Sequence, residues 1–421
     1  MSTILILHCS AGAGHRSVAR AIDEALTRCC ESDEESAPTP PYRENSAVGV
    51  LSGETPHHLI ADSLCFSGPP FRAMCSKGYE FFARHIRWAC GMGYVLLDKP
   101  FSRSLLVRAV QKTSNLAVEG LAGFLAENVV DVVCCTHFMP MTLIGDLRRK
   151  GLYDGRLHVC VTDYDIQGLW FEPEVDRYYV ATAKGAARLA GWGIPKERIS
   201  VTGIPVRHEF TTLAPPPFRD EADIRPLRVL FSAGSLKNRE ALRLLREAAS
   251  CGAPLDIIVV TGRTPSLRKA LAAYTPPPHV RLELRGFEPH LERLMADADI
   301  LLTKPGGITC TEGLCAGLPM LFVHPIPMQE VHNARILEQA GAGRSCFTPG
   351  SAGRALAELH KNRGRLAVMR AACLRLAHPE AAAVVGTNLL EGLRSVPKPL
   401  PTPSTVQATR LSDGKSAETA R

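Results

Sequence analysis

The stretch Ala298-Asp299-Ile300-Leu301-Leu302-Thr303-Lys304-Pro305-Gly306-Gly307-Ile308-Thr309-Cys310-Thr311-Glu312-Gly313-Leu314 passes from a short apolar run, through a Pro-Gly-Gly turn, into a helical pattern. The run Ala298 to Thr303 reads as a buried strand, and the chain after it enters a helix with its first backbone amides bare. Such a terminus offers unpaired N–H groups and the positive end of a helix dipole, which together suit a diphosphate. The same residues also fit a purely structural arrangement, in which Thr309 and Glu312 form a capping box. From this stretch alone both readings stand.

A second glycine loop, at the other end of the chain, favours the first. Thr3 to Cys9 is a short apolar strand, and Ser10-Ala11-Gly12-Ala13-Gly14-His15-Arg16-Ser17 turns from it into a helix expected to run to about Cys30. The loop lacks the third glycine of the dinucleotide fingerprint and has no Gly-Lys-Ser/Thr of a Walker loop, so its glycines are a weak signal by themselves. His15 stands where the turn becomes the helix. A histidine there is ordinarily a solvated turn residue or a local cap; opposite a remote diphosphate site it becomes a candidate base facing an interdomain cleft.

Composition sets wide bounds. The chain has 421 residues, 45% of them hydrophobic, enough for two α/β domains. Its charge of +7 is mildly basic, with neither an arginine-rich helix nor an aromatic-basic sheet motif, so no nucleic-acid partner is expected. No stretch of about 18 apolar residues suggests a spanning helix, and the opening strand has no charged leader, so no signal peptide is expected. The 14 cysteines form no CxxC and no Cys/His array. Cys134, Cys135 and Cys160 fall in apolar strands as small hydrophobes, which points to a reducing, cytoplasmic setting without structural zinc.

Short apolar strands alternate with helical patterns, as in parallel sheets with crossover helices. In the first half they are Thr3 to Cys9, Val129 to Cys135, His158 to Thr162, Arg177 to Ala181 and Ile199 to Thr202. In the second half they are Leu227 to Ser232, Asp256 to Thr261, Val280 to Leu284, Ile300 to Thr303 and Met320 to Val323. The expected division is a first domain over 1–210, a Pro-rich linker over 211–226 and a second domain over 227–378. A helix over 379–394 is expected to return to the first domain, followed by a disordered tail over 395–421. Within the first domain, 31–47 reads as a flexible acidic, Ser/Pro-rich loop. The second strand of that domain is hard to find around Glu31 to Gly53. The segment 64–110 mixes Phe66, Phe71, Tyr79, Phe81, Phe82, Trp88, Tyr94 and Phe101 with an excess of Arg and Lys. It suits either an interfacial helix on an anionic bilayer or an ordinary amphipathic pair covering the sheet; the former is the expectation here.

Four segments carry a resemblance: Ser10 to Ile22 (SAGAGHRSVARAI), Val161 to Thr182 (VTDYDIQGLWFEPEVDRYYVAT), Gly193 to Phe210 (GIPKERISVTGIPVRHEF), and Arg285 to Ala334, where Gly-Gly-x-Thr, Glu, Gly-x-Pro, Pro-x-Pro and Gln-Glu-x-x-Asn occur in order. The chain resembles the monogalactosyldiacylglycerol synthase and processive diacylglycerol glucosyltransferase group, within the glycosyltransferase family 28 that includes MurG-type enzymes. The resemblance implies an α/β GT-B fold of two Rossmann-like domains facing a cleft. It implies an inverting hexosyltransferase working in glycolipid synthesis, with a UDP-hexose donor in the second domain and a diacylglycerol-type lipid acceptor in the first. Attachment would be peripheral, on the cytoplasmic face of the membrane.

Carried over position by position, Glu312 would accept hydrogen bonds from the ribose hydroxyls. Gln329, Glu330 and Asn333 would face the sugar hydroxyls or the loop holding them, and Phe287 would lie where the uracil edge is read. Gly306, Gly307, Ile308 and Thr309 would present amides to the diphosphate, with Gly234, Ser235 and, from the first domain, Gly14 closing the site. His15 matches the position of the proposed base. Trp170, Pro205 and Arg207 are expected as acceptor or interface residues. Inversion needs a base on the acceptor hydroxyl and stabilisation of the departing diphosphate. Helix amides can supply the second, so neither a cofactor nor a metal is expected, and structural roles are assigned to Asp163-Tyr164-Asp165 and Asp297-Ala298-Asp299. Gln167 and Glu172 stand where the family often has His, and Met328 where it has Gly. Two rival functions remain: a UDP-sugar epimerase of the same fold and a non-catalytic UDP-sugar-binding subunit.

Overall fold

The computed structural model describes residues 2–10, 13–31, 48–50, 57–67, 115–214, 225–326 and 329–394. The loop expected at 31–47 (beyond Glu31), the basic-aromatic segment 64–110 (beyond Ser67), most of the linker, Met328 and the tail 395–421 lie outside the described residues.

The described strands form two sheets. In the first, β1 (Thr3–His8), β3 (His57–Asp62), β4 (Val130–Cys135), β5 (Arg156–Cys160), β6 (Arg177–Val180) and β7 (Ile199–Val201) are parallel, and β2 (Val48–Val50) adds antiparallel to β3. The strand order is β2-β3-β1-β4-β5-β6-β7. In the second, β8 (Leu227–Ser232), β9 (Leu255–Val260), β10 (Val280–Arg285), β11 (Ile300–Thr303), β12 (Met320–Phe322) and β13 (Gly343–Ser345) are all parallel, in the order β10-β9-β8-β11-β12-β13. Crossover helices cover both faces of such sheets, so β1, β4 and β11 read as nearly unbroken apolar runs and are buried almost throughout.

Among the described residues, the helices of the first half are α1 (Ala13–Glu31), α2 (Asn115–Glu127), α3 (Phe138–Arg149) and α4 (Ala183–Gly191). Those of the second are α5 (Asn238–Ala249), α6 (Pro265–Ala272), α7 (Leu291–Asp297), α8 (Gly307–Cys315), α9 (Gln329–Gln339), α10 (Ser351–Lys361) and α11 (Arg363–Leu376). The last described helix, α12 (Ala381–Arg394), packs on the first domain: Ala382 buries against Ala21 and Ala25 of α1. Gly392 lies beside His158 and Val132 of the first sheet.

Each sheet reverses its strand order at one place that matters for ligands. The first turns between β1 and β4, the second between β8 and β11. The crevice beyond the strand ends at such a reversal is where open α/β sheets bind ligands. The loops leaving those four strands are the His15 loop, Thr136-His137, Ala233 to Leu236 and Lys304 to Gly306.

Candidate active site

The two glycine loops meet. A Cβ on Gly14 would come within 2.9 Å of Ile308 Cγ1, and one on Gly307 within 2.0 Å of the Thr162 carbonyl oxygen. The helix tip of the second domain therefore presses backbone against backbone on the segment leaving β5. Only the absence of a side chain allows this approach.

His15 sits in the first turn of α1, its Nδ1 2.9 Å from the Thr136 carbonyl and 3.1 Å from Thr162 Oγ1. A carbonyl only accepts, so Nδ1 carries the proton and Nε2 keeps its lone pair. Thr136 Oγ1 returns a hydrogen bond to the His15 carbonyl (3.0 Å), fixing the helix start to the end of β4. The edge of the His137 ring packs 4.5 Å away, centroid to centroid. Burial pulls the His15 imidazole down to about 4, against the raising effect of the Thr136 carbonyl. The ring is neutral at neutral pH, the form a base requires.

Across the contact, α8 begins at Gly307 with Gly306 as its N-cap, and Gly306 brings no side-chain cap. The capping-box alternative is overturned: Thr309 lies inside the first turn, so Thr309 and Glu312 are not the N-cap and N3 pair that the motif needs. Gly307, Ile308 and Thr309 are left with the uncapped amides of a helix start. Glu312 is 7% exposed. Burial pushes its carboxyl up to about 7, with Arg207 lowering it and Glu292 raising it. Arg207 reaches over from the first domain to Glu292 of α7, 3.6 Å away. Pro205 is buried beside it, between Ile204 and Val206, which join the core that spans both domains.

Gln329, Glu330 and Asn333 stand on one side of α9, but their partners are protein groups. Gln329 Nε2 donates to Asp163 Oδ2 (2.5 Å), and Asn333 Nδ2 donates to Asp163 Oδ1 (3.3 Å) and to the Pro305 carbonyl (3.2 Å). Glu330 pairs with Lys304 (3.4 Å) and accepts from the Ile326 amide. Asn333, fully buried, ties the loop before the glycines to the first domain and faces no open site. Of the two contacts expected of it, sugar hydroxyls or the loop holding them, Asn333 makes the one to the loop.

At the far end of the cleft Gly234 lies 3.3 Å (as Cβ) from the Thr261 carbonyl, with Ser235 exposed beside it. Phe287 is 58% exposed and carries the Arg263 guanidinium over its ring at 4.4 Å. The Gly262 amide donates to the Gly286 carbonyl (3.1 Å), which fixes this rim. Trp170 is corrected as well. It is 1% exposed in the first-domain core, against Phe138 and His137, because the buried Tyr178 hydroxyl donates to its carbonyl (2.9 Å) and holds the turn inward. It backs the His15 neighbourhood from beneath and meets no surface where an acceptor could lie.

Residues unremarked in the sequence complete the site: Thr136, His137, Thr162, Arg263, Glu292 and Lys304. The switch-point rule, applied to the ends of β4 and β5, was the signal that could have found the first three. The Asp297 and Asp299 carboxylates are engaged by Arg228, the latter through its backbone amide.

Residues 47–206 match the family model for Monogalactosyldiacylglycerol (MGDG) synthase. A processive diacylglycerol beta-glucosyltransferase of Staphylococcus saprophyticus is 32% identical over 213 residues, which is 50% of this chain and 54% of that protein. The chain is similar to the monogalactosyldiacylglycerol synthase group. It spans about half the length of the curated relatives it matches. Two solved structures share the fold: Acinetobacter baumannii MurG (TM-score 0.56, 16% identity, 93% of this chain and 100% of that one) and Staphylococcus aureus MnaA with UDP (0.58, 11%, 94% and 98%). The two facing Rossmann-like sheets are those of a GT-B fold, as the MGDG synthase resemblance implies.

Proposed function

We propose that this protein is an inverting glycosyltransferase that moves a hexose from a UDP-sugar to the hydroxyl of a diacylglycerol-type lipid. The observation that carries the reading is the meeting of a neutral imidazole and an uncapped helix start across one segment, Thr162, at the switch points of both sheets. The acceptor hydroxyl oxygen attacks the anomeric carbon while the bond from that carbon to the β-phosphate oxygen breaks. His15 Nε2 takes the hydroxyl proton. UDP leaves with the bonding pair, and its new charge falls on the amides of Gly307, Ile308 and Thr309 at the positive end of the α8 dipole. Glu312 receives the ribose hydroxyls, and the Arg263–Phe287 rim receives the uracil.

The relatives' printed activity, diacylglycerol glucosylation, supports glucose as the hexose and a diacylglycerol-type acceptor. Among the described residues no helix is long and apolar enough to cross a membrane. Segment 64–110 is proposed to lie on an anionic bilayer at the cytoplasmic face. The test is incubation with radiolabelled UDP-glucose, UDP-galactose or UDP-GlcNAc plus a total lipid extract, followed by product identification. Label in a glycosyl-diacylglycerol is the expected result. Epimerised UDP-sugar without acceptor, or UDP binding with no transfer to any lipid, would replace the proposal with one of its rivals.

A further inference from the structure

The segment leaving β5, Thr162-Asp163-Tyr164-Asp165, meets the second domain at every residue. Thr162 turns its carbonyl to Gly307 and its hydroxyl to His15. The Tyr164 hydroxyl donates to Thr311 Oγ1 (2.8 Å), which itself donates to the Gly307 carbonyl (2.8 Å). Asp165 lies 3.2 Å from the His332 ring of α9. Asp163, 5% exposed, takes a carboxamide on each oxygen, Gln329 on one and Asn333 on the other.

The two carboxamides differ in what they have left to give. Asn333 has spent both Nδ2 hydrogens, on Asp163 and Pro305, and its Oδ1 accepts the Tyr164 amide (3.0 Å). Gln329 is the half-buried first residue of α9 and spends one Nε2 hydrogen on Asp163. A second N–H and its Oε1 remain for a ligand. A carboxylate accepts and does not donate, so it decides which way round the Gln329 amide sits and which of its atoms is offered outward. Burial pushes the Asp163 carboxyl up to about 6 while the two carboxamides pull it down, which leaves it an acceptor at neutral pH.

We infer that Asp163, in the acceptor domain, is a positioning residue that orients the Gln329 carboxamide for the hexose of the donor. The donor site is then complete only when the two domains are closed on one another. Segment 162–165 reports that closure to the base and to the diphosphate cradle at once. This rests on the reading that the donor is a UDP-hexose whose sugar meets Gln329.

Calorimetry with UDP and with UDP-glucose separates the two ideas. Asp163→Asn, nearly isosteric but free to present a donor to Gln329, is expected to keep UDP affinity within about twofold and to lose about tenfold in UDP-glucose affinity, the scale of one hydrogen bond. Gln329→Ala should lose the same increment, and the double variant no more than either single one. Asp163→Ser replaces Asp163→Asn if the latter does not fold. Unchanged UDP-glucose affinity in these Asp163 variants, or an equal loss for UDP, overturns the positioning role. Wild-type protein that binds neither ligand, or whose UDP-glucose affinity ignores Gln329→Ala, removes the underlying donor reading and the inference with it.

Discussion

His15 is kept neutral by its surroundings, and that same burial makes it a weak base until a donor arrives. Its pKa near 4 follows from desolvation, so an adjacent diphosphate would raise it by favouring the imidazolium. His15→Ala is expected to lower kcat by 10²- to 10⁴-fold, the usual scale for a lost general base, with an unchanged unfolding midpoint. Near-normal turnover would remove the assignment. Glu312 is a stability liability in the ligand-free protein. Its folded carboxyl titrates near 7 against an ordinary 4.5. Below about pH 4.5 both folded and unfolded forms are protonated and there is no penalty. Between about pH 4.5 and 7 the unfolded chain ionises while the folded carboxyl keeps its proton, so about 3 kcal/mol of stability is lost across that window and stays lost above it. Glu312→Gln should therefore be more stable than the wild type by roughly that amount at pH 8, equal to it near pH 4, and poorer in UDP affinity. Urea unfolding at the two pH values checks the first part and calorimetry the second. Such a trade is what a ligand-binding carboxylate held in a dry site should show.

At the scale of single elements, α8 is the part whose fit to its surroundings can be tested by one methyl group. Alanine is a better helix former than glycine, so Gly307→Ala should not weaken α8 itself. The new Cβ, however, would stand 2.0 Å from the Thr162 carbonyl, a backbone atom that cannot swing away. The domains must part to accept it. Expected are a turnover loss of tenfold or more, a larger radius of gyration in solution scattering and a near-normal unfolding midpoint for the second domain. Normal turnover would mean that the close contact is not part of the working form. The elements themselves were largely legible. The strand runs and the α1 and α8 starts fell close to their expected places because buried parallel strands are apolar throughout. Two strands of the first sheet are missing from the expectation: β2, three residues long and inside Glu31 to Gly53, and β3, just past that stretch, whose sequence His57-His58-Leu59-Ile60-Ala61-Asp62 begins with two histidines. His58 is buried against Asp23, so a polar pair in the core disguised an interior strand. The three-residue β13 was too short to show a pattern. Which side chains would face one another across the cleft was not legible at all. Tyr164 and Thr311, or Asp163 and Asn333, are brought together by the meeting of two sheets, and no local pattern encodes that.

On the scale of the whole molecule, the chain's first and last described helices hold the same domain. After α11 the backbone crosses back past Gly203, whose φ of +81° and contact with His378 leave no room for a side chain: a Cβ there would lie 2.4 Å from His378 Cβ. The helix α12 then lies along α1 closely enough that a Cβ on Gly386 would be 3.6 Å from that of Ala25. Ala381, Ala382, Val385 and Leu389 are buried there, and Val385 and Leu389 belong to the cluster that includes Ile4, Val18 and Ile22. The first domain thus depends on residues synthesised after the second. Leu389→Ala is expected to destabilise the first domain by about 2–5 kcal/mol, the range for a buried leucine, and Val385→Ala by less. A chain ending at Glu380 should lose still more, because it also bares the apolar faces of α1 and β1 to water. Thermal unfolding followed by near-ultraviolet circular dichroism, read beside UDP binding, checks this. The first-domain transition should fall while the second domain keeps its UDP affinity, since the main partners of α12 are α1, β1 and β4. A truncated chain that unfolds at the wild-type temperature would show that α12 rests on the first domain without supporting it.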